Sequence, residues 1–211
     1  MPVMAPNIDR ALSLIDAAHA EDPRKTSAGE PYELHYAQRM THYLEKHTGT
    51  STPSPLLRVA VRAQHFRRWE VPRDSYPKTR PGYFAWRTFL KKRQAEQVKQ
   101  ICLECTFSEE EAEKVAALIA KEELKRGEGK GDPEAQVLED CACLVFLDDQ
   151  FDLYEVKWKE EHGSEEEADE KMVGILSKTW GKMGSRGQEI ALQLDLSDKA
   201  KALVGRALEG K

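Results

Sequence analysis

Three groups of side chains in this sequence could do chemistry. Glu33 and His35 share one helical turn in "PYELHYAQRM", and His65 closes the apolar run "LLRVAVRAQH". Glu139 and Asp140 interrupt "VLEDCACLVFL", part of the most apolar segment of the chain. Carboxylates and imidazoles ligate divalent metals and carry protons in catalysis. The third group is Arg68, Arg73, Arg80 and Arg87, interleaved with Trp69, Tyr76, Tyr83 and Trp86. A guanidinium matches phosphate or carboxylate through two parallel hydrogen bonds, and an aromatic face suits a base or a sugar. Lys178 and Lys182, one turn apart around Trp180, would add a further cationic wall.

Elements must bring these groups together. Asp140, Leu144, Leu147 and Phe151 are spaced by four, three and four, so one helix face carries a carboxylate in line with core residues. Leu57, Val61 and His65 repeat the pattern at spacings of four. A buried carboxylate without a partner is costly, so Asp140 needs a cation, a metal or several donors. The plainer readings are a hydrogen-bonded core histidine and an aspartate serving as hub for a neighbouring Arg. The arginines come from a different setting. Residues 66–93 hold nine Lys or Arg against two acids, +7, in a chain whose net charge is −5. The prolines at 72, 77 and 81 break the helical pattern there and stiffen the loop that presents the arginines. Two readings of this stretch stand, an anion-binding surface and a structural loop.

The rest of the pattern is helical. Ser54-Pro55 starts one helix and Asp132-Pro133 another, while Ser108 to Glu111 and Ser164 to Glu167 have the spacing of capping boxes. The spacing predicts helices over about 7–20, 31–47, 54–69 and 82–104. A fifth ends near Gly127, and a sixth runs through "EAQVLEDCACLVFLDDQFDLYEVKW". "KRGEGKGD" (125–132) reads as a surface loop. Strand-like alternation is nearly absent, which predicts an all-α bundle of about seven to eight helices in a single domain, 1–211. Its core would be about 7–193, with a C-terminal helix, 194–211, as a loose appendage. No apolar run reaches the roughly 18 residues of a membrane span. The acidic N-terminal stretch predicts no targeting peptide, so the expected address is cytoplasmic. Cys102 and Cys105 form a C-x-x-C, and Cys141 and Cys143 lie in an apolar helix. No second ligand pair follows at zinc spacing, which favours structural thiols over a zinc or redox site.

Two resemblances attach to these residues. The order of "LHYAQRM" and "LLRVAVRAQHFRRWEVP" resembles the opening of HD-type metal phosphohydrolases, with His35, His65 and Asp140 matching ligand positions in order. Phe66 stands where that family's His-Asp pair has its Asp. The blocks "AQHFRRWEVPRDSYP", "RPGYFAWR", "DPEAQVLEDCACLVFL" and "ILSKTWGKMGSRGQEIAL" are similar to a microbial family of unknown function, numbered 4202. Its members are sometimes labelled glutamyl-tRNA synthetases, yet the sequence has neither a HIGH-like nor a KMSKS-like signature. The resemblance implies an HD-like, all-α fold.

The expectation is a protein that binds a phosphorylated small molecule, a nucleotide above all, and that could act as a metal-dependent phosphohydrolase. His35, His65 and Asp140 would hold a divalent metal (Mn, Fe, Co, Zn or Mg), with Glu139 and Glu33 as the catalytic carboxylates. Such a metal would lower the pKa of a bound water and make it the nucleophile. Arg68, Arg73, Arg80 and Arg87 would hold phosphate, Trp69, Tyr76 or Tyr83 would stack on the ligand, and Lys178 and Lys182 would add charge. The alternative is a non-catalytic module that binds RNA, tRNA or another anion on the same surface.

Overall fold

The computed structural model of the chain describes residues 5–122, 131–151 and 164–209. Among them are nine α-helices and no strand, only an isolated antiparallel bridge between Lys25 and Pro31. The fold is all-α. The chain divides into two compact units, 1–124 and 125–211. No helix among the described residues is long and apolar enough to cross a membrane.

The first unit holds α1 (Ile8–Ala20), α2 (Tyr32–Thr48), α3 (Pro55–Arg62), α4 (Arg80–Glu104) and α5 (Glu109–Ala120). Each start is fixed locally except that of α2. The side chains of Asn7, Ser54 and Thr79 accept hydrogen bonds from the first-turn amides of α1, α3 and α4, and Ser108 forms a reciprocal capping box with Glu111. The core gathers Ile15, Tyr36, Met40, Tyr43, Leu57, Val61, Leu90, Val98 and Val115, all nearly inaccessible to solvent. Arg62 ties three helices together. Its guanidinium donates to both carboxylate oxygens of Asp16 (2.6 and 2.8 Å) and to the Thr41 hydroxyl at 3.1 Å.

The helix expected to reach Trp69 stops at Arg62. His65 (φ 63°) and Arg67 (φ 47°) both take left-handed backbone, and the chain turns so that Ala63 and Phe66 are buried. A left-handed L-residue costs on the order of 1–2 kcal/mol, a cost that burying a phenylalanine side chain can offset. Two 3-10 turns, Arg68–Glu70 and Arg73–Ser75, then lead to α4.

The second unit holds α6 (Pro133–Val145), which passes into a π-helical turn, Phe146–Gln150, then α7 (Glu165–Trp180), α8 (Ser185–Ala191) and α9 (Asp198–Leu208). Asp140, Leu144, Leu147 and Phe151 are all buried, as their common face requires. The helix expected beyond Phe151, and all of "KRGEGKGD" except its last two residues, lie outside the described residues. Helix α9 packs on α7, burying Ala200, Leu203 and Ala207, and Lys199 pairs with Glu165 at 2.9 Å and Asp169 at 3.2 Å.

Candidate functional site

The chemistry of the first unit begins with Glu33. Pro31 caps α2 without a side-chain acceptor, so Asp22, from the segment after α1, accepts a hydrogen bond from the Glu33 amide at 3.0 Å. Asp22 also takes both Nε (3.1 Å) and a terminal nitrogen (2.8 Å) of Arg24, whose guanidinium reaches Glu33 Oε1 at 2.5 Å. One cation thus serves two carboxylates that are each about 1% exposed. The other Glu33 oxygen, Oε2, is buried and meets no hydrogen-bond partner. Burial is the main reason the Glu33 carboxyl is pushed up to about 7, with Arg24 and Arg68 opposing the shift and Asp22 adding to it.

Next to that oxygen stands His65. Its Nδ1 lies 3.7 Å from Glu33 Oε2, its ring stacks on Tyr36 (centroids 4.2 Å apart, 16° between planes), and its Nε2 is 2.8 Å from Arg68. A guanidinium can only donate, so Nε2 is the acceptor, the imidazole is neutral, and its proton sits on Nδ1 toward Glu33. The electrostatics agree. Burial, then Arg68 and Arg87, and more weakly Lys121 and His19, hold His65 well below the ordinary imidazole range. Although the side chain keeps a quarter of its exposure, cations close on it disfavour a second positive charge.

Arg68 is itself under electrostatic pressure. It lies over the Trp86 ring (4.9 Å to the centroid), and Trp86 is fixed by donating from its indole nitrogen to the Val71 carbonyl at 2.9 Å. Burial and then the like charge of Arg87 lower the pKa of Arg68, and Glu33 only partly offsets them. Arg87 has no ion pair or hydrogen bond among the described residues, and the part of the Arg68 fork not given to His65 meets no acceptor there. Arg68, a neutral imidazole and a carboxyl raised toward neutral pH therefore stand together with donor capacity unspent, and the like charge of Arg87 bears on both Arg68 and His65. Such a cluster is completed by an anion with several acceptor oxygens.

The other expected residues have different employment. Arg73 braces the loop by donating to the Tyr76 and Pro77 carbonyls, both at 2.8 Å. Arg80 is exposed, above Phe84, and Trp69 is half-buried in the first 3-10 turn. Tyr76 packs near Phe89, and Tyr83 near Trp86. His35 lies 3.5 Å from Glu30 through Nδ1. In the second unit, Asp140 Oδ1 accepts from the Gly184 amide at 2.9 Å and from Gln136 at 2.7 Å, while Glu139 faces Lys182 at 3.6 Å. Lys178 is exposed at the end of α7. All four cysteines are free and buried, and burial pushes the Cys102 thiol up to about 12, far from a reactive thiolate.

Among the described residues no three His, Cys, Asp or Glu side chains converge as a metal site. The His65 cluster does not fit a dication, because a guanidinium occupies the one unprotonated imidazole nitrogen and the positive charges of Arg68 and Arg87 already disfavour a further cation there. The sequence reading missed Asp22, Arg24 and Tyr36. The first two were visible only as a short acid-base cluster, "EDPRK", between helices.

A family model described as Domain of unknown function (DUF4202) matches residues 9–204, and the chain belongs to that family. No curated protein and no solved structure matches the chain.

Proposed function

We propose that this member of the DUF4202 family binds a phosphorylated small molecule of nucleotide size, with Arg68 and Arg87 taking the phosphate. One observation carries the reading: Arg68 lies over Trp86 and gives one donor to His65 while the rest of its fork meets no acceptor among the described residues, and Arg87, the residue after Trp86, has no counter-charge there. Like charges held close are unfavourable unless an anion joins them. His65 orients Arg68 through Nε2, and Tyr36 fixes the imidazole plane. Glu33 and His65 are also an acid-base pair whose carboxyl titrates near neutral pH, an arrangement that supports phosphoester hydrolysis at the same site. A divalent metal would have to arrive with the phosphate, as with a magnesium nucleotide, since the cluster itself is cationic.

Calorimetric titration with inorganic phosphate and nucleoside monophosphates tests the reading. The parent protein should bind both, and Arg68→Lys or Arg87→Lys should weaken binding by about 1–3 kcal/mol, because lysine keeps the charge and loses the fork. Absence of phosphate binding, or full tolerance of both lysine variants, would overturn it. Phosphate release from a nucleotide panel, with and without Mn²⁺ or Mg²⁺, decides whether binding leads to hydrolysis.

A further inference from the structure

Four large hydrophobic side chains are exposed among the described residues, and three of them lie in the first ten residues of α4: Tyr83 (42%), Phe84 (54%) and Phe89 (45%). Helical geometry separates these three. Arg80, Tyr83, Phe84, Arg87 and Lys91 follow the i, i+3, i+4, i+7, i+11 series and share one face, whereas Phe89 lies roughly 140° round from Phe84. Phe89 packs near Tyr76 instead, with ring centroids 6.3 Å apart. On the shared face the Tyr83 and Phe84 rings meet edge to face at 5.9 Å. The Arg80 guanidinium lies 5.7 Å from the Phe84 centroid, and that of Arg73 lies 5.9 Å from Tyr83. Arg80 and Arg87 have no ion pair among the described residues.

We infer that this face of α4 binds single-stranded nucleic acid, with one backbone phosphate at Arg68 and Arg87 and the adjoining base stacked on Phe84, the more exposed of the two rings. The inference rests on the phosphate reading above and extends it from a small molecule to a polymer. Three features of the face point to this occupant. Exposed aromatic rings alternating with cations form a stacking platform along a phosphate track. Arg68 lies over Trp86, which precedes Arg87 on α4 and whose ring centroid is 6.0 Å from that of Tyr83, so the cluster adjoins the face. The five positions of the face hold three cations and no acid, which sets two copies of it against each other and disfavours self-association through it. A duplex keeps its bases paired and stacked on one another, so only an unpaired strand can offer a base to these rings.

The experiment uses the full chain and fluorescence anisotropy. The probes are labelled hexauridylate, hexathymidylate and a duplex of matching length, with uridine monophosphate as competitor. Single-stranded hexamers should bind about tenfold tighter than the monophosphate, and the duplex more weakly than the single strands. Phe84→Ala should lower hexamer affinity by roughly five- to 150-fold, the span of a lost base stack. Phe89→Ala, on the other flank of the helix, should stay within about twofold of the parent. Equal affinity for hexamer and monophosphate, preference for duplex, or indifference to Phe84→Ala overturns the inference. So does a doubled mass in light scattering that Phe84→Ala returns to monomer. A monophosphate that binds with no gain from the hexamer refutes this extension and leaves the phosphate site standing. If neither ligand binds, both readings fail.

Discussion

Glu33 shows how one side chain can carry opposing demands. It caps nothing itself, yet its amide is held by Asp22 and its carboxyl shares Arg24 with that same Asp22. With burial dominating, the folded protein favours the protonated acid, titrating near 7 where an ordinary glutamate titrates near 4.5. A carboxyl raised in this way stabilises the fold fully below about 4.5 and loses that contribution as pH climbs through about 7. His19 has the opposite sign. Burial holds it down to about 4, so its contribution is present above about 6.5 and disappears as pH falls through about 4. Between these limits the two nearly cancel, and the parent protein should show a shallow pH dependence there from this pair. Glu33→Gln removes one side of the balance. Relative to the parent, its unfolding free energy should rise by about 3 kcal/mol between pH 4.5 and 7, measured by urea denaturation across that range. Parallel curves for the two proteins would mean that Glu33 titrates as an ordinary surface acid.

At the scale of elements, helix starts were legible in the sequence and some helix ends were not. Ser54, Ser108 and Ser164, read as starts in the sequence, each accept a hydrogen bond from a first-turn amide, because capping chemistry is local and sequence carries it; Thr79 does the same for α4, which begins at Arg80 rather than near 82. The end of α3 was hidden because tertiary burial of Phe66 outweighs local preference at His65 and Arg67. The same distinction governs the site. The residue types at Glu33, His65, Arg68 and Arg87 were readable, whereas the link through Asp22 and Arg24 needs a chain reversal that no periodicity reports. Asp140 shows a polar residue in an apolar stripe with a use inside its own unit. It accepts from the Gly184 amide at the start of α8, where a carboxylate also suits the helix dipole. Gly187 makes this approach possible, since a Cβ there would lie 2.7 Å from Asp140 Cγ. Gly187→Ala should therefore destabilise the protein by about 1–3 kcal/mol. Asp140→Ala removes Cγ and Oδ2, the two nearest obstructing atoms, and leaves its Cβ at 3.0 Å, so adding Gly187→Ala there should cost less. A double-mutant cycle by chemical denaturation checks this, and strict additivity would show that the two residues do not constrain each other.

The molecule as a whole is electrostatically divided. Residues 1–124 carry 19 Lys or Arg against 17 Asp or Glu, a net +2, and residues 125–211 carry 13 against 20, a net −7. The chain's acidity is thus a property of its second unit, and the net charge of −5 does not argue against an anion site in the first. Every group named in the phosphate cluster, with Asp22, Arg24, Tyr36 and Trp86 that position it, lies within 1–124. That unit has its own buried core from five helices, and its length is ordinary for an independent domain. A fragment of residues 1–124 should therefore unfold cooperatively in a thermal melt followed by circular dichroism. It should also bind inorganic phosphate at least as tightly as the full chain. Removing a unit of charge −7 takes away long-range repulsion, so any gain in affinity should be largest at low ionic strength. The gain should shrink as salt shortens the screening length to about 10 Å at 0.1 M. A fragment that folds but has lost phosphate affinity would place part of the anion site in residues 125–211. One that melts without a transition would show that the five-helix core needs the rest of the chain to close.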